Sequence, residues 1–185
     1  MDASALIAIP VPNDLERLHN ATYDALMWAL ARPGTVQTLP QPGLEAIVET
    51  LVDRECRVFS SHKTLLPLIA STGAAITGPR DADHAFLDLE AEAGLRDLAV
   101  VPAGSHLYPD DGATVFSSAR IGEGQRLRLS GPGIETYADI RIGGLKPDVW
   151  TLRAKRCIYP TGFELFFVDG DRVVGLPRST TVEVL

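Results

Sequence analysis

Apolar positions in the N-terminal part of the chain follow the 3.6-residue period of an amphipathic helix. The periodic positions are Leu15, Leu18, Thr22, Ala25, Leu26, Ala29 and Leu30. Asn13 and Asp14 supply the side-chain oxygens of a helix N-cap, and Pro33-Gly34 stops the period. The pattern therefore predicts a first helix ending before Pro33-Gly34. The same reasoning predicts later helices over residues 43–53, 64–71 and 147–157.

Short runs rich in β-branched and aromatic residues predict strands or extended segments between and after these helices. They cover residues 35–39, 57–60, 75–77, 85–89, 98–101, 114–119, 126–130, 134–142, 163–168 and 172–176. Two glycine-containing turns, Gly122-Glu123-Gly124 and Asp169-Gly170-Asp171, predict hairpins. Strands alternate with helices first and pair as hairpins later. This order predicts an α/β fold, a mixed β-sheet covered by helices in three layers (α/β/α).

Length and composition are those of one globular domain spanning residues 1–185. Hydrophobic residues make up 45% of the 185 residues and charged residues 22%, which excludes disorder as the main state. The longest apolar runs are far shorter than the ~20 residues of a membrane span. The start, Met1-Asp2-Ala3-Ser4, lacks the basic segment of a signal peptide, and cysteine is sparse. We therefore expect a cytoplasmic protein without membrane association.

Charge is distributed unevenly along the chain. The net charge is −7, and residues 81–111 hold eight acids and one base, whereas residues 120–156 hold eight bases and four acids. The two segments are either ordinary solvated faces or distinct surfaces for partners and anionic ligands. Overall acidity argues against nucleic-acid binding, which leaves a basic footprint.

Common catalytic and cofactor motifs do not occur. The chain has no Walker A sequence, Gly122-x-Gly124 lacks the third glycine of a dinucleotide fingerprint, and Ser130 lacks the first glycine of a nucleophile elbow. The four histidines lack the spacing of metal ligands, which predicts no metal site. None of the three lysines lies in the context of a Schiff base, so we expect no covalently bound cofactor.

Rigid turns rich in glycine and proline are the remaining candidates. Their structural positions are Pro33, Gly34, Gly112, Gly131, Gly133 and Pro177. The turn after residue 176 carries the most chemistry, with a guanidinium and three hydroxyls on Arg178, Ser179, Thr180 and Thr181. These groups suit a phosphate or phosphonate oxygen or a partner's carboxylate. A purely structural turn, whose hydroxyls satisfy local backbone groups, explains the same residues.

Three ordered motifs in these turns resemble the PhnH family, the H subunit of the carbon–phosphorus lyase system. The first is Ala31-Arg32-Pro33-Gly34-Thr35-Val36, and the second lies within residues 104–133 and contains Gly112-Ala113-Thr114. The third joins Tyr159-Pro160-Thr161-Gly162-Phe163-Glu164 to residues 175–184. Tyr159 replaces the family's usual phenylalanine and Glu164 its usual aspartate, which moves the carboxylate by one methylene.

The resemblance implies an accessory subunit of the carbon–phosphorus lyase core complex. That complex, with its G, I, J and L subunits, supports conversion of alkylphosphonate and ATP to ribose 1-methylphosphonate 5-triphosphate. The resemblance also implies a homodimer when isolated. It implies a fold similar to the large domain of pyridoxal-phosphate transferases, without the cofactor. The alternative is a stand-alone phosphonate- or nucleotide-binding module, or a small enzyme, that uses the Arg178 turn. Trp28 and Trp150 are candidate interface anchors or core residues.

Overall fold

The computed structural model describes residues 11–185, so Met1–Ser4, which bear on the signal-peptide expectation, lie outside the described residues. The elements in chain order are α1 (Asp14–Ala31), β1 (Gln37–Thr38), α2 (Leu44–Leu51), β2 (Arg57–Ser60), α3 (Leu66–Ser71), β3 (Ala75–Ile76), β4 (His84–Phe86), α4 (Glu92–Leu98), a 3-10 helix (Pro109–Asp111), β5 (Thr114–Ser118), β6 (Arg120–Ser130), β7 (Ala138–Gly143), α5 (Asp148–Arg156), β8 (Glu164–Asp169), β9 (Arg172–Leu176) and β10 (Thr181–Val184). No helix among these is both long and apolar enough to cross a membrane.

The N-terminal helix forms as its sequence predicts. The Asn13 side chain accepts a hydrogen bond from the backbone N–H of Glu16, and the Glu16 carboxylate accepts one from the backbone N–H of Asn13. This reciprocal capping box satisfies two N–H groups that a helix start leaves unpaired. The helix ends at Ala31, directly before the predicted stop at Pro33-Gly34.

Seven strands form one mixed sheet in the order β1-β9-β8-β5-β4-β2-β3. Five strands, β3, β2, β4, β5 and β8, run parallel to one another. At the other edge β9 pairs antiparallel with β8, and β1 pairs antiparallel with β9. The predicted hairpin at Asp169-Gly170-Asp171 is confirmed, because Asp169 pairs with Arg172.

Helices α1, α2 and α3 cover one face of this sheet. Phe86, Phe116 and Phe166 lie in register on three adjacent strands and stack on that face, with ring centroids 5.0 and 5.1 Å apart. Gly175 pairs with Phe166, and a Cβ there would lie 2.8 Å from the carbonyl carbon of Ala29. The missing side chain therefore lets the backbone of α1 approach the sheet closely.

The opposite face packs against α4, α5 and a second, three-stranded antiparallel sheet in the order β10-β6-β7. Leu127, Leu129 and Ile142 of this sheet are buried, and Trp150 of α5 meets Phe167 edge-on at 5.7 Å. The α/β class is confirmed. On this face the second sheet lies beside the helices, because the alternating apolar positions of β6 and β7 suit a half-buried strand.

Two local predictions are wrong. Residues 98–101, predicted as a strand, are the end of α4 and the turn after it, because a short apolar run does not distinguish the two structures. Gly122-Glu123-Gly124 is no hairpin turn and lies inside β6, where the pairing with β7 shifts between Ile121 and Gln125. The two glycines, at φ +97° and +72°, shape a β-bulge there. Strand β10 was not predicted: it begins at Thr181, the last residue of the predicted turn, and pairs with β6.

Candidate functional site

Two of the glycine-rich turns predicted as structural pack against each other beside the end of α1. Gly34 has φ +87°, and a Cβ there would lie 3.0 Å from Cβ of Ala138 and 3.1 Å from Cδ1 of Leu129. Gly133 has φ +82°, and a Cβ would lie 2.3 Å from the carbonyl oxygen of Ala31 and 3.0 Å from Cδ of Pro33. Both positions need glycine for backbone conformation and for space.

The same loop continues to the C-terminal turn. A Cβ at Gly131 would lie 2.9 Å from the carbonyl oxygen of Ser179. On the other side of this turn, a Cβ at Gly112 would lie 2.2 Å from the carbonyl oxygen of Gly162 and 3.0 Å from Nη1 of Arg178. The structure therefore joins turns that are far apart in the sequence into one continuous cluster around residues 178–180.

Arg178 is held inside this cluster by Glu164. Its Nε donates to Oε1 of Glu164 at 2.6 Å, and its backbone N–H donates to Oε2 of the same carboxylate at 2.7 Å. Its Nη1 also donates to the carbonyl oxygen of Pro109. The two side chains are only 15% and 19% exposed, so this is a largely desolvated, charge-assisted contact. Pro177 directly follows β9 as predicted, and the pair joins that strand end to the start of β8.

A cavity of about 210 Å³ lies between α5 and the C-terminal turn. We call it the arginine cavity, and it is lined by Trp150, Arg153, Ala154, Cys157, Tyr159, Arg178, Ser179, Thr180, Thr181 and Val182. All four residues predicted as ligand or partner contacts lie in its wall. Their role in binding stays a prediction, and the guanidinium of Arg178 already has a carboxylate partner.

Arg153 is the charged residue of this cavity that sequence reasoning missed. It is 3% exposed, and its Nη1 and Nη2 donate to the carbonyl oxygens of Thr180 at 2.9 Å and Pro177 at 2.6 Å. Burial lowers the pKa of this guanidinium, and the thiol of Cys157 and the carboxylate of Glu164 act in the opposite direction. None of the ion pairs formed within residues 11–185 includes Arg153.

A signal for Arg153 was present in the sequence. It follows Val149 by four residues and Trp150 by three, so it belongs to the apolar face of α5, and both of those residues are buried. An arginine on the buried face of an amphipathic helix needs a polar partner in the folded protein. The sequence does not show which partner, because the carbonyl groups that Arg153 meets lie 24 and 27 residues further along the chain.

A second, larger cleft of about 410 Å³ lies beside the Gly34 turn and the β6 bulge. Its charged residues are Arg126, Asp139 and Arg141. Arg126 and Arg128 donate to the Asp139 carboxylate at 2.7–3.0 Å, and these hydrogen bonds lower the pKa of Asp139 to about 2. Arg141 donates to the carbonyl oxygen of Gly124 at 3.1 Å. The charged groups of this cleft thus already have partners in its walls.

The acidic and basic segments of the chain contact each other at the surface. Lys146 lies 2.8 Å from the Glu92 carboxylate, and Arg120 lies 3.9 Å from that of Glu90. These pairs are exposed, so they contribute little to stability. Within the described part of the chain, no group of three or more histidine, cysteine, aspartate or glutamate side chains is placed to hold a metal ion.

Comparison with known proteins identifies the family. The family described as bacterial phosphonate metabolism protein (PhnH) matches residues 14–183. A putative C-P lyase subunit protein, HtxG of Stutzerimonas stutzeri, is 33% identical over 168 residues, covering 88% of this chain and 84% of that protein. The alpha-D-ribose 1-methylphosphonate 5-triphosphate synthase subunit PhnH of Rhizobium meliloti (strain 1021) is 31% identical over 181 residues, covering 88% and 89%. The match includes both sheets and the arginine cavity, and the chain belongs to the PhnH family.

Proposed function

We propose that this protein is the H subunit of a carbon–phosphorus lyase complex, which supports synthesis of ribose 1-methylphosphonate 5-triphosphate from an alkylphosphonate and ATP. The observation that carries the proposal is the family match over residues 14–183, together with two relatives that are named as subunits of this machinery. Since both relatives match over 84% or more of their own length, the similarity extends over nearly the whole subunit.

The proposed role is accessory, and the chain does not turn over substrate alone. The walls of the arginine cavity carry hydroxyls, a thiol and two guanidinium groups, but no histidine, aspartate or glutamate side chain. General-base catalysis near neutral pH most often uses one of those three residue types. The guanidinium and hydroxyl groups of this wall are hydrogen-bond donors, which supports a binding role.

The proposed partners are the G, I, J and L subunits in the cytoplasm, and a second copy of this chain when the others are absent. The solvent-exposed face of helix α1 carries three large apolar side chains among polar ones, and these support association. Tyr23, Met27 and Trp28 on this face are 53%, 48% and 44% exposed. Aromatic residues and methionine are enriched in protein interfaces. Trp150, the other candidate anchor, is 5% exposed and belongs to the core.

The test is affinity purification of the tagged protein from phosphate-starved cells of its host. We expect the other carbon–phosphorus lyase subunits to co-purify, and deletion of the gene to abolish growth on methylphosphonate but not on phosphate. The purified chain alone should show no turnover of ATP with methylphosphonate. A chain that purifies without these subunits and turns over ATP with methylphosphonate would instead support the stand-alone reading.

A further inference from the structure

We propose that the arginine cavity is a binding site for a small tetrahedral oxyanion, the phosphonyl or phosphoryl group of a small molecule, with Arg153 as its counter-charge. The proposal goes beyond subunit membership, since it assigns a ligand class and a location within this chain.

Arg153 has no carboxylate in direct contact, since none of the ion pairs within the described residues includes it. A guanidinium stays protonated in proteins, and a buried charge is costly unless a counter-charge or a full set of hydrogen bonds offsets it. The Nη groups of Arg153 donate to the carbonyl oxygens of Thr180 and Pro177, which are dipoles and carry no net charge. Arg178, in the same wall, differs because the Glu164 carboxylate neutralises it. A bound anion supplies a counter-charge in direct contact with Arg153.

Two residues that line the cavity carry buried donors without a partner. Within the described residues, Nε of Arg153 and Oγ1 of Thr180 are buried and have no hydrogen-bond partner. Both residues line the cavity, and both are 3% exposed. A buried polar group without a partner costs free energy comparable to a lost hydrogen bond, so natural proteins keep few of them. The hydroxyls of Ser179 and Thr181 lie in the same wall and extend the donor set.

The cavity fits a small tetrahedral oxyanion in size and in donor chemistry. A phosphonate or phosphate group presents three oxygens, each of which accepts hydrogen bonds from guanidinium and hydroxyl donors. The cavity volume of about 210 Å³ lies below the range of about 300–1,000 Å³ typical of pockets for drug-sized ligands. We therefore expect methylphosphonate or inorganic phosphate to enter the cavity, and a nucleoside triphosphate not to fit as a whole.

The experiment is a titration of the purified full chain with methylphosphonate and with inorganic phosphate, followed by phosphorus NMR and calorimetry. Thr180→Val removes the unpartnered hydroxyl and keeps the shape, so we expect about tenfold weaker binding with an unchanged melting temperature. The matched control is Thr151→Val on the exposed side of α5, which should leave both quantities unchanged.

Arg153→Lys tests the counter-charge, with Arg156→Lys on the same helix as its control. Arg156 donates to the carbonyl oxygen of Val101 and does not line the cavity. We expect Arg153→Lys to lose most of the binding and Arg156→Lys to retain it. If Arg153→Lys does not fold, Thr180→Val decides the question alone.

The two anions distinguish the source of the ligand. Tighter binding of methylphosphonate supports a phosphonate ligand, and equal binding supports a generic phosphoryl group. Absence of saturable binding, or equal affinity of Thr180→Val and Thr151→Val, would overturn the proposal. Equal competition by acetate would also overturn it, in favour of a partner's carboxylate. These binding measurements do not depend on co-purification with other subunits. Failure of the proposed ligand site can therefore be distinguished from failure of the subunit assignment.

Discussion

At the scale of single residues, two arginines in one cavity differ in what balances their charge. Arg178 pairs with Glu164, whereas the hydrogen bonds that Arg153 forms within residues 11–185 go to backbone carbonyl groups. The Glu164 carboxylate accepts hydrogen bonds from both the guanidinium and the backbone N–H of Arg178. It therefore holds the start of the C-terminal turn in place and also balances the charge of Arg178. The aspartate that is usual in the family would have to span the same gap with a side chain one methylene shorter.

The substitution Arg178→Lys tests the structural part of this account. A lysine keeps the charge but loses the planar donor set that reaches both Glu164 and the carbonyl oxygen of Pro109. We expect the free energy of unfolding to fall by about 1–3 kcal/mol, which is a decrease in melting temperature of about 2–12 °C at this chain length. Calorimetry of the purified variant measures both.

The matched control is Arg172→Lys, in the exposed pair with Asp169 at the β8–β9 turn. An exposed pair contributes little, so this variant should melt within about 1–2 °C of wild type. If Arg178→Lys melts like wild type yet the complex no longer supports growth on methylphosphonate, Arg178 contacts a ligand or partner directly.

At the scale of secondary-structure elements, α1 and the turn after it hold the two sheets together. The helix packs on the seven-stranded sheet through Ala29 and Gly175, and its end meets the three-stranded sheet through Gly34 and Gly133. Gly34 thus has to meet two requirements, a left-handed backbone and a close approach to β6 and β7.

Gly34→Val should destabilise the fold for both reasons. A β-branched side chain at φ +87° is strained, and its Cβ would press on Ala138 and Leu129. We expect a loss of about 2–5 kcal/mol of unfolding free energy, the sum of backbone strain and overpacking. Urea denaturation of the purified protein measures the loss.

Gly122→Val provides the matched control, since its φ is +97° but no atom lies within 4 Å of a Cβ there. That variant should show the strain alone, about 1–2 kcal/mol. A Gly34→Val protein as stable as wild type that fails to support growth on methylphosphonate would place position 34 at a ligand or partner instead.

At the scale of the whole molecule, helix α1 leaves large apolar side chains exposed to solvent, among them Trp28. A stable interface takes about 800 Å² from each partner, and an exposed tryptophan is a frequent energetic centre of such a surface. Arg32 stacks over the Trp28 ring at 4.7 Å, which holds the indole in place at the end of the helix.

Trp28→Ala therefore tests the proposed homodimer. We expect the wild-type chain to run as a dimer by light scattering at micromolar concentration, and the variant to shift to the monomer without losing its fold. Tyr137→Ala is the matched control, because Tyr137 is 57% exposed and carries a stacked arginine, Arg128, at 4.1 Å. A monomeric wild-type chain contradicts the prediction. A variant that remains dimeric indicates that Trp28 lies outside the interface.

The sequence by itself determined the elements whose signals are local. The capped helix α1, the helix α5 and the hairpin at Asp169-Gly170-Asp171 all depend on residues within a few positions of one another, and all are confirmed. The α/β class and the family also followed from the sequence, because alternation of elements and ordered motifs are readable along the chain. The short apolar run at 98–101 was misassigned because its neighbours do not distinguish a strand from a helix end.

Only the tertiary structure decided which distant segments meet. Strand β10 exists because β6 offers it an edge, and the glycines at 122 and 124 became a bulge because β7 continues beside them. Contacts between distant segments also determine whether a charged side chain meets an opposite charge. Arg178 meets the carboxylate of Glu164, 14 positions earlier, whereas the hydrogen bonds of Arg153 within the described residues go to backbone carbonyl groups 24 and 27 positions later. Hydrogen bonding and burial depend on contacts between residues that are distant in sequence, and the local sequence pattern does not show these contacts.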